Sequence, residues 1–198
     1  MGRPREFEID KAIETATDLF WRNGYEGTSL SDLTKQMRIT PPSFYFAFGS
    51  KEGLFKRVIE RYYAEQGKTL EAACAEPTAH AVAERLLYAY ADVLTDPGHA
   101  PGCLAMNSAL PCAESDSLRT WLAELRERMR TRLRDRFAYA KSTRDLPADA
   151  EPDALARFVT VVAWGMAVEA QSGARREDLH NTVALALARW PHGGSADE

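Results

Sequence analysis

Apolar side chains recur along the chain at helical intervals, beginning close to its first residues. Four of them are spaced by 4, 3 and 4 positions and form one face of a helix: Ile9, Ile13, Ala16 and Phe20. The Asn23-Gly24 pair ends this face, because glycine readily adopts the left-handed conformation that closes a helix. The pattern predicts a first helix from about Asp10 to Arg22.

Turn and capping residues divide the next part of the chain into three further helices. Ser29 and Asp32 have the spacing of a capping box, which opens a second helix of about two turns. Thr40 is a suitable N-cap for a third helix from Pro41 to about Phe48. Proline is tolerated at the start of this helix, because the N–H group that it lacks has no partner in the first turn. Gly49-Ser50 then caps a longer fourth helix. Two short helices joined by a tight turn and backed by two others predict a helix-turn-helix module.

The rest of the chain keeps the helical pattern, and no alternating stretch predicts a strand. Breaks that contain glycine or proline separate the predicted helices: Thr78–Leu94, Gly102–Leu110, Ser117–Ala140, Pro152–Gln171 and Glu177–Trp190. We expect an all-α fold with a three-helix domain over residues 1–50 and a larger helical domain over residues 51–198, linked by a fourth, connecting helix over about residues 51–67. The tail after Pro191 is expected to fray.

The predicted Pro152–Gln171 helix is apolar on nearly every side, as its central residues show: Phe158, Val159, Val161, Val162, Ala163, Trp164, Met166, Ala167 and Val168. Such a helix has to be covered all round. Pairing with the Val183–Leu187 segment across a two-fold axis would cover it as a four-helix interface, so we expect a homodimer. A fully intramolecular core is the alternative.

Composition and charge are those of a folded protein with a weakly basic N-terminal part. Hydrophobic residues make up 45% of the 198 residues and charged residues 27%, which excludes a disordered chain or a fibre. Residues 1–63 hold 10 Lys+Arg and 9 Asp+Glu, whereas the whole chain has a net charge of −4. Only the N-terminal part could therefore face phosphate, through a local cluster of basic residues: Arg3, Arg5, Lys51, Lys56 and Arg57.

The start of the chain lacks the apolar core of a signal peptide, and the apolar run from Phe158 to Val168 is too short to cross a bilayer. We expect a cytoplasmic protein without a membrane partner. The cysteines Cys74, Cys103 and Cys112 are odd in number and lack a CxxC pair, so neither a disulfide framework nor a metal site is expected, and no cofactor is indicated.

Cys103 follows His99-Ala-Pro-Gly at the predicted start of a helix, where the helix dipole favours the reactive thiolate. A buried, inert thiol is the alternative reading. The four histidines form no recognisable nucleophile-base motif with it, so a thiol enzyme is the weaker alternative and we expect no catalytic site.

The N-terminal stretch resembles the DNA-binding domain of TetR-family regulators along its whole length. The resemblance is carried by the segment LFWRNGYEGTS and, at the expected distance, by SFYFAFGSKEGLF. It implies that Pro41–Phe48 is the recognition helix in the major groove of double-stranded DNA. It also implies base contacts from Thr40, Pro41, Pro42, Ser43 and Phe46, and phosphate contacts from Thr28, Tyr45 and Lys51.

Two residues depart from the family pattern. Arg38 stands where the family usually has a turn glycine, and Phe46 stands where a histidine is common. Arg38 either adds a phosphate contact or is a tolerated turn variant. Phe44 and Phe48 are expected to belong to the core.

The C-terminal part resembles the effector-binding and dimerisation domain of the same family more loosely, through GCLAMNSAL and DLPADAEPDALARF. Candidate pocket residues are aromatic, soft or polar, with core packing as the alternative for each: Tyr88, Cys103, Met106, Asn107, Trp121 and Trp164. The resemblance implies a repressor that binds a near-palindromic operator and is released by a small-molecule or thiol-reactive effector. An architectural DNA-binding protein without an effector is the alternative.

Overall fold

The computed structural model describes residues 3–109 and 116–193. Within these residues the chain forms helices and no strands, which confirms the predicted all-α fold. In chain order the helices are α1 (Arg3–Asn23), α2 (Leu30–Met37), α3 (Pro41–Phe48), α4 (Lys51–Cys74), α5 (Ala79–Leu94), α6 (Leu104–Ala109), α7 (Asp116–Ser142), α8 (Pro152–Gln171) and α9 (Arg176–Leu187).

The capping residues act as the sequence predicts. The Oγ of Ser29 accepts the backbone N–H of Asp32 at 3.1 Å, and the Asp32 carboxylate accepts the N–H of Ser29 at 3.1 Å, which completes the capping box of α2. Ser50 caps α4 by accepting the N–H of Gly53 at 2.9 Å. These side chains satisfy first-turn N–H groups that have no partner inside the helix.

Helix α1 contacts α2 and α4, and the short helix α3 packs on α4. Phe20, Phe44 and Phe55 are fully buried, and the rings of Phe20 and Phe55 meet edge to face at a centroid distance of 5.0 Å. Burial of large side chains is what stabilises such a small module, because each contributes roughly 2 kcal/mol of apolar transfer free energy. The prediction that Phe44 and Phe48 belong to the core is confirmed.

Three helix bounds differ from the prediction by three residues or more. Helix α1 begins at Arg3, earlier than the predicted start at about Asp10. The sequence pattern missed these first turns because they show no apolar period. Helix α4 continues to Cys74, since Leu70 and Ala73 extend its buried face. The last helix ends at Leu187, and Trp190 beyond it packs against Phe137 at 5.5 Å between ring centroids. Leu110 and Cys112 lie outside the described residues.

The C-terminal part is a bundle in which α5 contacts α8 and α9, and α7 contacts α8. Helix α4 also reaches this bundle through α5 and α7, so a single continuous helix joins both parts of the chain. The carboxylate of Asp92 on α5 accepts two hydrogen bonds from Arg176 on α9, at 2.6 and 2.9 Å. Within the described residues, no helix combines the length and apolar character that crossing a membrane requires.

One side of α8 remains uncovered within a single chain. Three apolar residues of α8 remain exposed, namely Phe158 at 41%, Val161 at 56% and Val168 at 49%. On the adjacent α9, Leu185 is 79% exposed. The opposite side of α8 is buried, through Ala156, Val159, Met166, Ala167 and Ala170. The intramolecular core therefore covers only part of this apolar helix.

Candidate nucleic-acid interface and effector cavity

Helix α3 has one buried side and one exposed side. Phe44 and Phe48 anchor it in the core, whereas Tyr45 and Phe46 between them are 51% and 75% exposed. The predicted base-contacting residues at its start are exposed as well: Thr40, Pro41, Pro42 and Ser43. A short helix fixed by two buried aromatic rings presents these groups on a rigid surface of the size that enters a major groove.

The start of α3 carries hydroxyl groups that are already oriented. The Oγ1 of Thr40 lies 3.0 Å from the Oγ of Ser43 and accepts the backbone N–H of Ser43 at 3.4 Å. Both hydroxyls keep lone pairs or protons for a further partner. The start of α3 therefore offers hydroxyl and apolar contacts to base edges, and not only charge to phosphates.

Lys51 lies in the first turn of α4, close to this surface. Its Nζ atom stands 4.2 Å from the centroid of the Tyr25 ring, within the range of a cation–π interaction. The first-turn N–H groups of α4 and the ammonium group together favour an anion at this position.

The phosphate contact predicted for Thr28 does not agree with its position. Thr28 is fully buried, and its hydroxyl donates to the carbonyl oxygen of Gly24 at 2.8 Å. The side chain therefore holds the loop after α1 in place and has no surface that a phosphate could reach. The sequence alone does not distinguish a hydroxyl that holds a loop from one that lies at the surface.

Arg38 ends α2 in the left-handed conformation, with φ 54° and ψ 42°. Its N–H donates to the carbonyl oxygen of Lys35 at 3.2 Å, and the residue is exposed. This backbone conformation explains a preference for glycine at such a turn, because an L side chain is strained there. The side chain remains available to a phosphate, so both predicted roles of Arg38 are compatible with its position.

The other predicted basic residues are spread over different surroundings. The Nζ of Lys56 binds Glu52 at 2.7 Å and lies 5.8 Å from the ring centroid of Trp121, which turns it towards α7. The guanidinium group of Arg57 stands 5.5 Å from the Phe48 ring, next to α3. The side chains of Arg3 and Arg5 lie outside the described part of the chain.

A cavity of about 110 Å³ lies in the C-terminal bundle, enclosed by α4, α5, α7, α8 and the segment that leads into α6. Three predicted pocket residues line it, namely Cys103, Met106 and Trp164. The remaining lining residues come mostly from α4, α5, α7 and α8: Tyr62, Tyr63, Gln66, Leu70, Leu86, Tyr90, Ala105, Arg126, Met129, Arg130, Leu133, Val159, Thr160 and Ala163.

The other three predicted pocket residues do not line this cavity, and each side chain has a contact elsewhere. Tyr88 packs its ring edge on His180 of α9 at 4.9 Å. The amide nitrogen of Asn107 donates to the carbonyl oxygen of Trp21 at 3.2 Å. Trp121 lies beneath Lys56 near the start of α7.

Cys103 is 3% exposed and stands against tyrosine hydroxyls. Its Sγ atom lies 3.2 Å from the Oη of Tyr62, and Tyr90 lines the same cavity. Burial raises the pKa of the Tyr62 and Tyr90 hydroxyls well above the usual value, and the neighbouring thiol adds to this shift. The tyrosines therefore remain protonated at neutral pH.

The sequence contains a signal for Tyr62 as a cavity residue. Tyr62, Gln66 and Leu70 follow at intervals of four residues on α4, so they share one face of a helix that leaves the helix-turn-helix module. The sequence predicted this helix only as a connector, so no pocket residue was expected on it.

The cavity loop is directly bonded to the end of α1. The indole Nε1 of Trp21 donates to the carbonyl oxygen of Gly102 at 3.2 Å, one residue before Cys103. The same indole stacks on His99 at 4.0 Å between ring centroids and meets the edge of Tyr62 at 5.5 Å. Together with the Asn107–Trp21 hydrogen bond, these contacts join the cavity wall to the helix-turn-helix module.

Comparison with protein families matches both parts of the chain. The model described as "Bacterial regulatory proteins, tetR family" matches residues 12–58. The model described as "Tetracyclin repressor-like, C-terminal domain" matches residues 83–186. The first match covers α2 and α3 with most of α1, and the second covers the lining helices of the cavity except α4.

Named relatives agree with these matches. The transcriptional repressor ComR of Escherichia coli is 30% identical over 193 residues, covering 96% of this chain and 92% of ComR. The repressor BdcR of the same organism is 48% identical over 61 residues, which are 31% of either chain. Among solved structures, a cysteine-substituted form of the TetR family regulator CifR, complexed with 26 bp operator DNA, is 36% identical with a TM-score of 0.86, covering 92% of this chain and 96% of that chain.

Proposed function

The chain belongs to the TetR family of DNA-binding transcriptional regulators, and on that premise we propose how its own residues bind an operator and release it. The observation that carries the proposal is the exposed side of α3, where Tyr45 and Phe46 project between two buried phenylalanines. Bases meet Thr40, Pro41, Pro42, Ser43 and Phe46, and phosphates meet Tyr45, Lys51 and Arg38. Thr28 is left out of the contacts because it is buried.

The proline rings and the exposed Phe46 ring suit thymine methyl groups, whereas the hydroxyls of Thr40 and Ser43 donate to or accept from base edges. Tyr45 and Lys51 flank this set and fix the register on the backbone. The DNA-binding unit is residues 1–50, and residues 51–198 form the effector-binding and dimerisation unit. The connecting helix is α4, which belongs to the core of both.

The functional unit is a homodimer formed through α8 and α9. The support is the apolar surface formed by Phe158, Val161, Val168 and Leu185, all of which are exposed in one chain. A two-fold axis through this surface buries the same residues on both protomers. It also places two α3 helices where they can read the two halves of a near-palindromic operator, whose half-sites are about one DNA turn apart.

An effector in the cavity releases the operator. The cavity wall is bonded to α1 through the Trp21–Gly102 hydrogen bond, so a change in the loop before α6 is transmitted to the module that carries α3. The effector binds more tightly to a dimer in which the two α3 helices have a different spacing. Its binding shifts the population towards that state, and the affinity for the operator falls accordingly.

Cys103 contributes to sensing when the effector is thiol-reactive. Because the thiol is buried at 3% exposure, it reacts only with molecules that enter the cavity. Replacement Cys103→Ser is expected to abolish release of the operator by such reagents while operator binding remains. Unchanged release by peroxide and electrophiles in a gel shift would remove Cys103 from the mechanism.

The operator proposal is tested by a gel-shift titration with DNA from upstream of the protein's own gene, in the presence of random-sequence competitor. The wild type is expected to retain its complex, because specific binding exceeds non-specific binding by roughly 4–10 kcal/mol. Tyr45→Ala is expected to weaken it, whereas Tyr139→Ala, an equally exposed tyrosine on α7, leaves it unchanged. Equal affinity for both DNAs would favour an architectural protein without an effector.

A further inference from the structure

Three tyrosines that line the cavity are hydrogen-bond donors at neutral pH. Burial raises the pKa of the Tyr63 hydroxyl, as it does for Tyr62 and Tyr90, so all three phenols keep their protons. The hydroxyl of Tyr62 already bonds Cys103, whereas the hydroxyl of Tyr63 has no hydrogen-bond partner among the described residues. Tyr63 therefore has a proton to offer to a molecule in the cavity.

Two arginines line the cavity, and their surroundings differ. Arg130 is neutralised, because its guanidinium group binds both Glu127 and Asp153. Arg126 lies one helical turn earlier and forms neither an ion pair nor a hydrogen bond with any described residue. It lies close enough to Tyr63 to act on that hydroxyl electrostatically. No aspartate or glutamate occurs among the described residues that line the cavity.

The charge balance of the cavity is therefore incomplete. An unpaired guanidinium group beside a mostly apolar space gains a charge-assisted hydrogen bond when an anion arrives, because the apolar lining screens the pair less than water does. A phenol that donates to the same anion strengthens the site. The remaining wall is apolar and aromatic, through Leu86, Met129 and Trp164 among others, and suits the carbon skeleton of the same ligand.

The size of the cavity limits the ligand. A volume of about 110 Å³ is of the order of the space that holds one benzene ring in an apolar protein cavity. We propose that the effector of this regulator is a small organic anion, with about one aromatic ring or a short aliphatic chain, whose acidic group binds Arg126 and Tyr63. This inference rests on the proposed function, since it identifies the ligand of the effector cavity.

The experiment compares acids with their uncharged amides on the full-length protein at pH 7.5. The probes are benzoate and hexanoate, with benzamide and hexanamide as partners of nearly equal shape, and binding is measured by isothermal titration calorimetry. Both acids fit the limit set by the cavity, and each is fully ionised at this pH. At least one acid is expected to bind more than about tenfold more tightly than its amide, which corresponds to ~1.4 kcal/mol.

The variants identify the group that binds the charge. Arg126→Gln is expected to reduce the affinity for the acid at least about tenfold and to leave amide binding unchanged. Tyr63→Phe is expected to weaken the acid several-fold, as the loss of one hydrogen bond to a charged group. Arg128→Gln is the matched control, because Arg128 lies on the same helix but is exposed and pairs with Glu124.

The proposal is overturned if neither acid binds, if the amides bind as tightly as the acids, or if Arg126→Gln binds the acid as the wild type does. Operator binding by the wild-type protein without any probe is measured in parallel by gel shift. Retained operator binding together with a negative titration refutes the anionic ligand and leaves the regulator function intact. Loss of operator binding would instead count against the function itself.

Discussion

At the scale of single residues, the backbone explains why one position departs from the family pattern. The turn after α2 needs a left-handed residue, and Arg38 adopts this conformation at φ 54°. Glycine adopts it without strain, whereas arginine does so at a cost of about 1–2 kcal/mol. A residue that is strained in an exposed turn of a DNA-binding module is a candidate for a functional role.

Replacement Arg38→Gly is expected to raise the free energy of unfolding by about 0.5–1 kcal/mol, because the relief of strain exceeds the added entropy of the unfolded chain. Urea denaturation followed by circular dichroism measures this change. If Arg38 holds a phosphate, the same variant also binds the operator more weakly. The slope of the logarithm of operator affinity against the logarithm of salt concentration is then smaller by about one.

Arg144→Gly is the control, since Arg144 is also exposed and left-handed at φ 66°, but lies at the end of α7. It should gain stability without a change in operator affinity. A loss of stability in Arg38→Gly would contradict the strain argument. Equal operator affinity in both variants would reduce Arg38 to a turn residue.

Residue types predicted the exposed surface of α3 better than they predicted the cavity. On α3, Phe44 and Phe48 are buried, whereas Tyr45 and Phe46 are exposed. The sequence predicted this arrangement because all four residues belong to one helix and to one family motif. The cavity depends on which faces of several helices meet, and sequence spacing does not contain that information. For this reason Tyr88 was assigned to the pocket although it packs on α9, and Tyr63 was overlooked.

At the scale of elements, one carboxylate on α5 binds two side chains of α9. Asp92 binds Arg176 and His180, with the His180 Nε2 atom at 2.7 Å. The Arg176 guanidinium group lowers the pKa of the Asp92 carboxyl, and His180 contributes in the same direction. Because the folded-state pKa lies below the unfolded one, the stabilisation is present above the unfolded pKa of about 3.9 and is lost as the pH falls through the folded pKa.

Asp92→Asn is therefore expected to be less stable than the wild type at pH 7, and the difference should vanish as the pH is lowered below about 4. The difference should be no more than ~1 kcal/mol, since the pair is largely exposed. Thermal unfolding between pH 3 and 7 measures it, with Asp149→Asn as an exposed control. A constant difference at every pH would show that the carboxylate charge is not the cause.

Helix positions were predicted well wherever capping residues mark them. The predicted bounds of α3 and α8 coincide with the observed ones, because proline occupies the first turn of each. Bounds were wrong where turns without an apolar period extend a helix, as at residues 3–8 of α1. A hydrophobic period does not reveal such turns.

At the scale of the whole molecule, dimerisation decides whether two recognition helices act together. Val161 and Leu185 are 56% and 79% exposed in the single chain, so a glutamate at either position disturbs no intramolecular core. A buried charge at a two-fold interface is repeated on both protomers and costs several kcal/mol. Val161→Glu and Leu185→Glu are therefore expected to be folded monomers with strongly reduced operator affinity.

Sedimentation velocity at micromolar concentration measures this effect. Ala123→Glu, on the exposed surface of α7, is the control and is expected to remain a dimer. A monomeric wild type would contradict the proposed interface. A dimer that persists in both glutamate variants would place the interface elsewhere.

Selection of bound sequences from a random double-stranded DNA pool tests directly whether α3 reads a specific operator. We expect enrichment of a near-palindrome with half-sites about one helical turn apart. We also expect that Tyr45→Ala yields little enrichment, whereas Tyr139→Ala enriches the same sequence as the wild type. A pool that binds the wild type but shows no sequence preference after repeated rounds would mean that α3 reads no specific operator.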